Sequence, residues 1–378
     1  MSNFDSMKKS LEFLKEKFSE YSEILKIAAH SYEKLFNKKS DVNTFIRKKT
    51  PMHAYYSSAY YKIPDAAKMQ DKDWMGAELI FDLDSDHLPN AEKMSYEKQI
   101  YKVKEEFEKL VFDFLLKDFG FEKKHTELYF SGGRGYHAHI KDPKILNLDS
   151  SARREIVDYI TGRDLREKLV FQEHVTGTKN YQGKRYPSTK SLKMPPPNSP
   201  GWKGRISRGI IDIVSEIKKS SDPYEKLKEY GVNHSDAEKL LEDLSDERVK
   251  RIKEGNLDQT KTIRKFFLNN ALRKTAVTMS AGETDEPVTC DIKRLIRLPG
   301  SLHGKTGFKV EEIDINSLSD FDPLSETIVF SSEKVEVNLK DNFKIELNGE
   351  EFNLSKGKNK VPEFLAVFLV GRKIATIT

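Results

Sequence analysis

Residues Glu78 to Leu88 read ELIFDLDSDHL, an apolar run that passes directly into three aspartates at alternate positions. No other stretch constrains the fold as strongly. A short apolar run of this kind reads as a buried strand, and side chains on a strand alternate with period two. Asp82 and Asp84 therefore share one face, with Phe81 and Leu83 packed behind it. Carboxylates lined up at the end of a buried element are costly unless something neutralises them.

Three kinds of site use such a string. In a calcium loop, Asp82, Asp84 and Asp86 would fill positions one, three and five, but His87 stands where a glycine must turn and Lys93 where a glutamate must bind. The loop would also follow a strand rather than a helix. In a phosphatase, a strand ending in FDLD resembles the first motif of the haloacid dehalogenase superfamily, with Asp82 as nucleophile and Asp84 as general acid. That family usually continues with Gly-Thr, where this chain has Ser85-Asp86. In a polymerase-type site, two carboxylates about 7 Å apart along a strand jointly hold divalent cations. A strand that simply ends at the surface is the bland version, and the string alone leaves these readings open.

The rest of the chain bounds the answer. At 378 residues it has room for about two or three domains. Hydrophobic residues make up 37% and charged residues 33%, a globular composition with a charged surface. A net charge of +5 is a weak pointer to nucleic acid. The lone cysteine, Cys290, excludes internal disulfides and any multi-cysteine zinc site. The N-terminal residues show no apolar signal stretch, and the run Phe364 to Val370 is too short to span a bilayer, so a cytoplasmic protein without membrane contact is expected.

Periodicity predicts a helix over residues 5–36 with Leu11, Leu14, Phe18 and Tyr21 on one face, then strand-like sequence from Met52. An amphipathic helix is predicted over 96–117, stopped at Gly120, followed by a strand Glu127 to Phe130. A second strand, YHAHIKD, presents Tyr136, Ala138 and Ile140 on one side and His137 and His139 on the other. A helix is expected from Ser151 to Ile160, a linker at Lys193 to Gly201, a charged helical stretch over 206–273, and β-type sequence again from Val288. The fold class expected is mixed α/β, with the carboxylates on a sheet covered by helices. A discontinuous core, 1–192 with 276–378, would carry a helical insertion at 200–275.

Two further blocks carry chemistry. Ser131-Gly132-Gly133-Arg134-Gly135-Tyr136-His137 lies between two strands, where glycines let backbone N–H groups converge on an anion and Ser131, Arg134 and His137 add donors. It lacks the spacing of a Walker loop. DEPVTCDIKRLIRLPGSLHGKTG, Asp285 to Gly307, offers a carboxylate, then Arg294 and Arg297 at strand spacing, then Ser301, His303 and Lys305. An ordinary glycine-rich hairpin and an exposed basic strand are the plainer readings of these blocks.

Taken in order, FDLDSDH, SGGRGYH and DEPVTCDIKRLIRLPGSLHGKTG resemble the catalytic small subunit of archaeal and eukaryotic DNA primases. Upstream, PMHAYYSSAYYKIPDAAKM and DKDWMGAELIFD look like the archaeal members. The resemblance is strong over 50–140 and 282–310 and weak over the first 45 residues and the helical stretch. It implies a DNA-dependent nucleotidyltransferase that makes short RNA, or DNA, primers on single-stranded DNA from NTPs or dNTPs. It implies that Asp82, Asp84 and Asp285 hold two Mg²⁺ or Mn²⁺ ions, with Asp291 the competitor for the third place. Nucleotide binding would fall to Ser131, Gly132, Arg134, His137, Arg297 and His303. Gly133 stands where eukaryotic relatives often have an arginine. No structural zinc is expected, because the interval that holds a cysteine-rich knuckle in many relatives contains no cysteine. The implied partner is the primase large subunit, in a heterodimer. A repair polymerase of the same superfamily, the phosphatase, and a non-catalytic nucleic-acid-binding subunit are the alternatives.

Overall fold

In the computed structural model, which describes residues 3–24, 39–257, 261–279 and 288–378, the chain divides into two units, Met1–Val157 with Thr278–Thr378, and Asp158–Val277. Helices and antiparallel strands are mixed in both, the α/β class expected.

The first unit is built on a four-stranded antiparallel sheet of β1 (Leu79–Asp84), β2 (Thr126–Phe130), β3 (Gly135–Ile140) and β4 (Glu311–Ile313), in the order β4-β2-β3-β1. Leu79, Phe81 and Leu83 pair with Ile140, Ala138 and Tyr136, and all six are buried. Each large apolar side chain so buried contributes about 1.5–3 kcal/mol. On the opposite face Asp82 lies across from His137, Asp84 across from Gly135, and Ile80 across from His139.

Helix α1 (Tyr96–Glu108) covers the apolar face, with Ser95 as its N-cap and Phe107 stacked on Tyr136 at 5.3 Å between centroids. The single helix expected over 96–117 widens at Lys109 into a π-helical stretch, Lys109–Asp118, closed by Phe119 N donating to Phe114 O at 2.9 Å. Leu110, Val111, Phe114 and Leu115 are all fully buried there, a crowding of inward residues that the wider turn accommodates.

The N-terminal helix spans Asn3–Ile24 and buries Leu14, Phe18 and Tyr21, but Leu11 is 56% exposed. The inward place goes to Ser10, whose Oγ accepts the Ile377 N–H at 3.1 Å. Residues 25–36 of that expected helix lie outside the described residues. The apolar run near the C-terminus forms α2 (Glu363–Gly371), a core helix buried from Glu363 to Val370. Between Val288 and Lys309 the sequence is less β-like than expected: the strand Leu295–Arg297 pairs with Tyr55–Ser57, Leu302 and Lys309 form a single antiparallel bridge, and most of the rest is turn and short helix.

In the second unit, helix Gly201–Lys219 buries Ile206, Ile210, Ile213, Val214 and Ile217 and crosses helix Lys261–Thr275 closely, where a Cβ on Gly209 would stand 3.0 Å from the Ala271 Cβ. Three short helices lie between them in sequence. The Pro-rich stretch 193–201 falls inside this unit. A ten-residue-per-strand hairpin, Gln172–Tyr181 with Lys184–Lys193, was not foreseen from the sequence. Among the described residues no helix is long and apolar enough to cross a membrane.

Candidate active site

Strand β1 delivers Asp82 and Asp84 to one face, their side chains 23% and 34% exposed. The Asp84 carboxylate accepts the Asp86 N–H at 3.1 Å and the Ser85 hydroxyl at 3.4 Å, and the Arg134 guanidinium stands 3.7 Å away. Burial raises the Asp84 pKa, against the opposing pull of the Asp86 N–H and Arg134. His137 Nε2 lies 3.5 Å from Asp82 Oδ1, while its buried Nδ1 has no hydrogen-bond partner among the described residues. Burial pushes His137 down to about 4, outweighing the Asp82 charge, so the ring is neutral at physiological pH.

The glycine loop is held by Ser131, whose buried Oγ accepts the N–H groups of Gly133 and Gly135 at 3.2 Å each. A Cβ on Gly135 would lie 2.4 Å from the Leu83 carbonyl, so only glycine allows β3 to approach the end of β1 this closely. Gly132 has φ +74°, with His303 packed against it. Arg134 leaves the loop to bond Asp86 Oδ1 at 2.7 Å and Gln99 Oε1 at 3.2 Å.

The late basic block folds back onto this loop. Thr306 Oγ1 donates to the Gly132 carbonyl at 2.5 Å and lies 3.1 Å from His303 Nδ1. Burial, then the charges of Arg297 and Lys305 among others, pushes His303 down to about 2. Arg297 Nη1 is 2.9 Å from His53 Nδ1, and the His53 and His303 rings meet edge-on at 5.4 Å.

A cavity of about 650 Å³ opens here, in which Asp84, Arg134 and His303 meet His53, Lys305, Arg372 and Lys373. Asp82, Ser131, His137 and Arg297 do not line it: Ser131 and His137 are buried, and Arg297 reaches its wall only through His53. Asp285 lies outside the described residues. Its competitor Asp291 accepts the Lys293 N–H at 2.9 Å and so caps a turn.

Sequence reasoning missed Arg372, Lys373 and His53 as site residues and left Lys305 unassigned. Arg372 sits 4.7 Å over the Tyr96 ring, and the Tyr96 hydroxyl donates to the Gly133 carbonyl at 2.7 Å. The one local signal was an apolar helix ending abruptly in Gly371-Arg372-Lys373.

Deeper along the same sheet face, Glu78 is buried with His139 Nδ1 at 3.1 Å and the Tyr60 and Tyr56 hydroxyls at 2.9 and 3.2 Å. Burial alone would raise its pKa, but His139, Lys141 and Tyr60 together hold it below the usual carboxylate range.

Among the described residues no three His, Cys, Asp or Glu side chains converge as metal ligands. Asp82 and Asp84 nevertheless fit part of a divalent-cation set. They present partly exposed hard oxygens from one strand face, with the His137 Nε2 beside Asp82.

The fold and site define an α/β protein with a carboxylate-bearing strand end at the lip of a basic pocket, chemistry suited to a polyphosphate and divalent cations. A sequence model of the family "DNA primase small subunit" matches residues 81–315. The DNA primase small subunit PriS of Methanothrix thermoacetophila is 41% identical, covering 90% of this chain and 88% of that one. Those of Methanococcoides burtonii (90% and 86% covered) and Thermoplasma volcanium (88% and 82%) are each 39% identical. The chain belongs to the DNA primase small-subunit family.

Proposed function

We infer that this chain is the catalytic subunit of a DNA primase, joining nucleotides into short RNA or DNA primers on a single-stranded DNA template. The observation that carries this is the meeting of Asp84 with Arg134, His303, Lys305 and Arg372 around one cavity of about 650 Å³. A triphosphate needs cations along its length, and the neighbouring carboxylates need divalent metal to be useful beside it. The shared family supports the same reading.

In this reading Asp82 and Asp84, with Asp285, would hold two Mg²⁺ or Mn²⁺ ions, which would supply charge neutralisation for the polyphosphate and a lower pKa for the attacking 3′-hydroxyl. The protein's own groups do the rest. Arg134 exchanges its single bonds to Asp86 and Gln99 for a phosphate, whose paired oxygens suit the guanidinium fork. Lys305, Arg372 and Lys373 oppose the charge that builds on the leaving pyrophosphate. His303, neutral at working pH, donates or accepts a single hydrogen bond rather than supplying charge. Ser131 shapes the loop by holding the Gly133 and Gly135 amides.

All the assigned residues within the described part of the chain fall in the first unit, and we assign catalysis there and an accessory role to Asp158–Val277. The reading also includes a large-subunit partner and a cytoplasmic setting, with which the single buried Cys290 agrees.

The test is Asp82→Ala and Asp285→Ala in a template-dependent incorporation assay on single-stranded DNA without primer. Both are expected to lose synthesis. Wild-type extension by either one would remove it from the site, and by both would overturn the reading.

A further inference from the structure

From His174 to Ile211 the chain runs 38 residues without one Asp or Glu, while carrying eight Lys or Arg. At the chain's average frequency about six acids would fall in such a stretch. The eight positive charges exceed the +5 of the whole protein, so the remainder is net negative. The excess cation of this molecule is therefore local, not spread over its surface.

The structure places much of that segment on the hairpin Gln172–Tyr181 and Lys184–Lys193, closed by a two-residue turn with Gln182 at φ +50° and Gly183 at φ +76°. Residues 178–185 are all exposed. Tyr181 pairs with Lys184, and Lys179 lies two residues before Tyr181, so all three occupy one face of the ribbon tip. Arg185, opposite Asn180, occupies the other face. Tyr181 is 67% exposed, more than any other large apolar side chain described. Among the described residues no carboxylate pairs with Lys179, Lys184 or Arg185.

Unneutralised cations flanking an exposed aromatic ring at the tip of a ribbon match a particular partner. We propose that the tip of this hairpin binds single-stranded DNA, with Lys179, Lys184 and Arg185 contacting phosphates and Tyr181 stacking on a base. The cations alone would suit any polyanion. An aromatic ring is useful only where bases are unpaired, which selects a single strand over a duplex. The surface lies apart in sequence from the residues assigned to catalysis, and its role as a template contact rests on the primase reading above.

The test uses the full chain and a fluorescent oligothymidylate, read by anisotropy over a salt series. Combined Lys179→Glu, Lys184→Glu and Arg185→Glu is expected to weaken binding at least tenfold at low salt and to reduce the log–log salt slope by about two. Tyr181→Ala is expected to lose about five- to a hundredfold with the slope unchanged, while Tyr181→Phe retains affinity. Wild-type affinity and slope in the charge-reversed protein would overturn the proposal. If that variant does not fold, equal affinities of Tyr181→Ala and Tyr181→Phe would overturn it instead, as would duplex binding as tight as single-strand binding. Primer synthesis by Asp82→Ala is the separate readout of the catalytic reading, so either can fail alone.

Discussion

Arg372 lies with its guanidinium 4.7 Å above the ring of Tyr96, and the same tyrosine donates its hydroxyl to the Gly133 carbonyl at 2.7 Å. One side chain thus fixes both the backbone of the glycine loop and the cation standing beside it. Gly133 itself offers no side chain, and Arg372 arrives from a helix more than two hundred residues downstream. If Arg372 contacts phosphate, its loss should remove a charge-assisted bond of about 1.5–3 kcal/mol. Arg372→Ala is expected to raise the nucleotide KM about tenfold or more, with kcat changed far less. Lysine should restore part of it, since it keeps the charge but loses the planar stack. Steady-state incorporation kinetics measure both, and an unchanged KM in the alanine variant would refute the assignment.

The close passage of Gly135 under β1 makes a second prediction. A methyl group there would stand 2.4 Å from the Leu83 carbonyl, forcing apart the strands that carry Asp84 and the loop. Gly135→Ala is expected to cost about 1–3 kcal/mol in urea unfolding, with a fall in nucleotide incorporation. A variant with wild-type stability and activity would show that the strand ends tolerate separation.

Glu78 gives a pH-dependent prediction. Its folded pKa is lowered, so its contribution to stability is present above its unfolded value of about 4.3 and is lost as pH falls through the lower folded value. Glu78→Gln should flatten that acid limb of the stability–pH curve. Glu78→Ala should cost about 3–5 kcal/mol near neutral pH, because His139 and the Tyr60 hydroxyl would lose their buried acceptor. Denaturant melts over an acid-to-neutral series test this, and parallel curves for wild type and Glu78→Gln would argue against it.

The two buried histidines supply a fourth. Burial holds His137 near 4 and His303 near 2, so neither ring should titrate between about pH 5 and 8. Their imidazole resonances are expected to stay flat over that range in the free protein. A midpoint near 6.5 for either would mean that the ring is more open to water than its packing implies.

Much of the site was legible in one dimension because strand periodicity is local. The alternation in FDLD was enough to put Asp82 and Asp84 on one face, and the register across from His137 and Gly135 agrees with it. The SGGRG segment reads as a tight loop because glycine is needed wherever backbone must pass close to backbone, and Gly135 shows why. Leu11 was misjudged for the opposite reason. Its helical spacing was right, but which stripe of the helix turned inward depended on Ser10 meeting Ile377. The π-helical stretch after Glu108 was equally invisible, since it answers to how four adjacent apolar side chains fit the core.

The sequence by itself determined the strand-borne carboxylates, the glycine loop, the helical character of residues 206–273 and the family. The first three of these are written in neighbours a few residues apart, where backbone geometry fixes the outcome; the family is written in three such blocks taken in order. Tertiary structure alone decided that Arg372 and Lys373 join Arg134 and His303 around one cavity, that Ser131 and His137 are buried, and that a cationic hairpin stands exposed in the second unit. Those outcomes depend on contacts between segments distant along the chain, and only packing brings such segments within reach of a charge or a hydrogen bond.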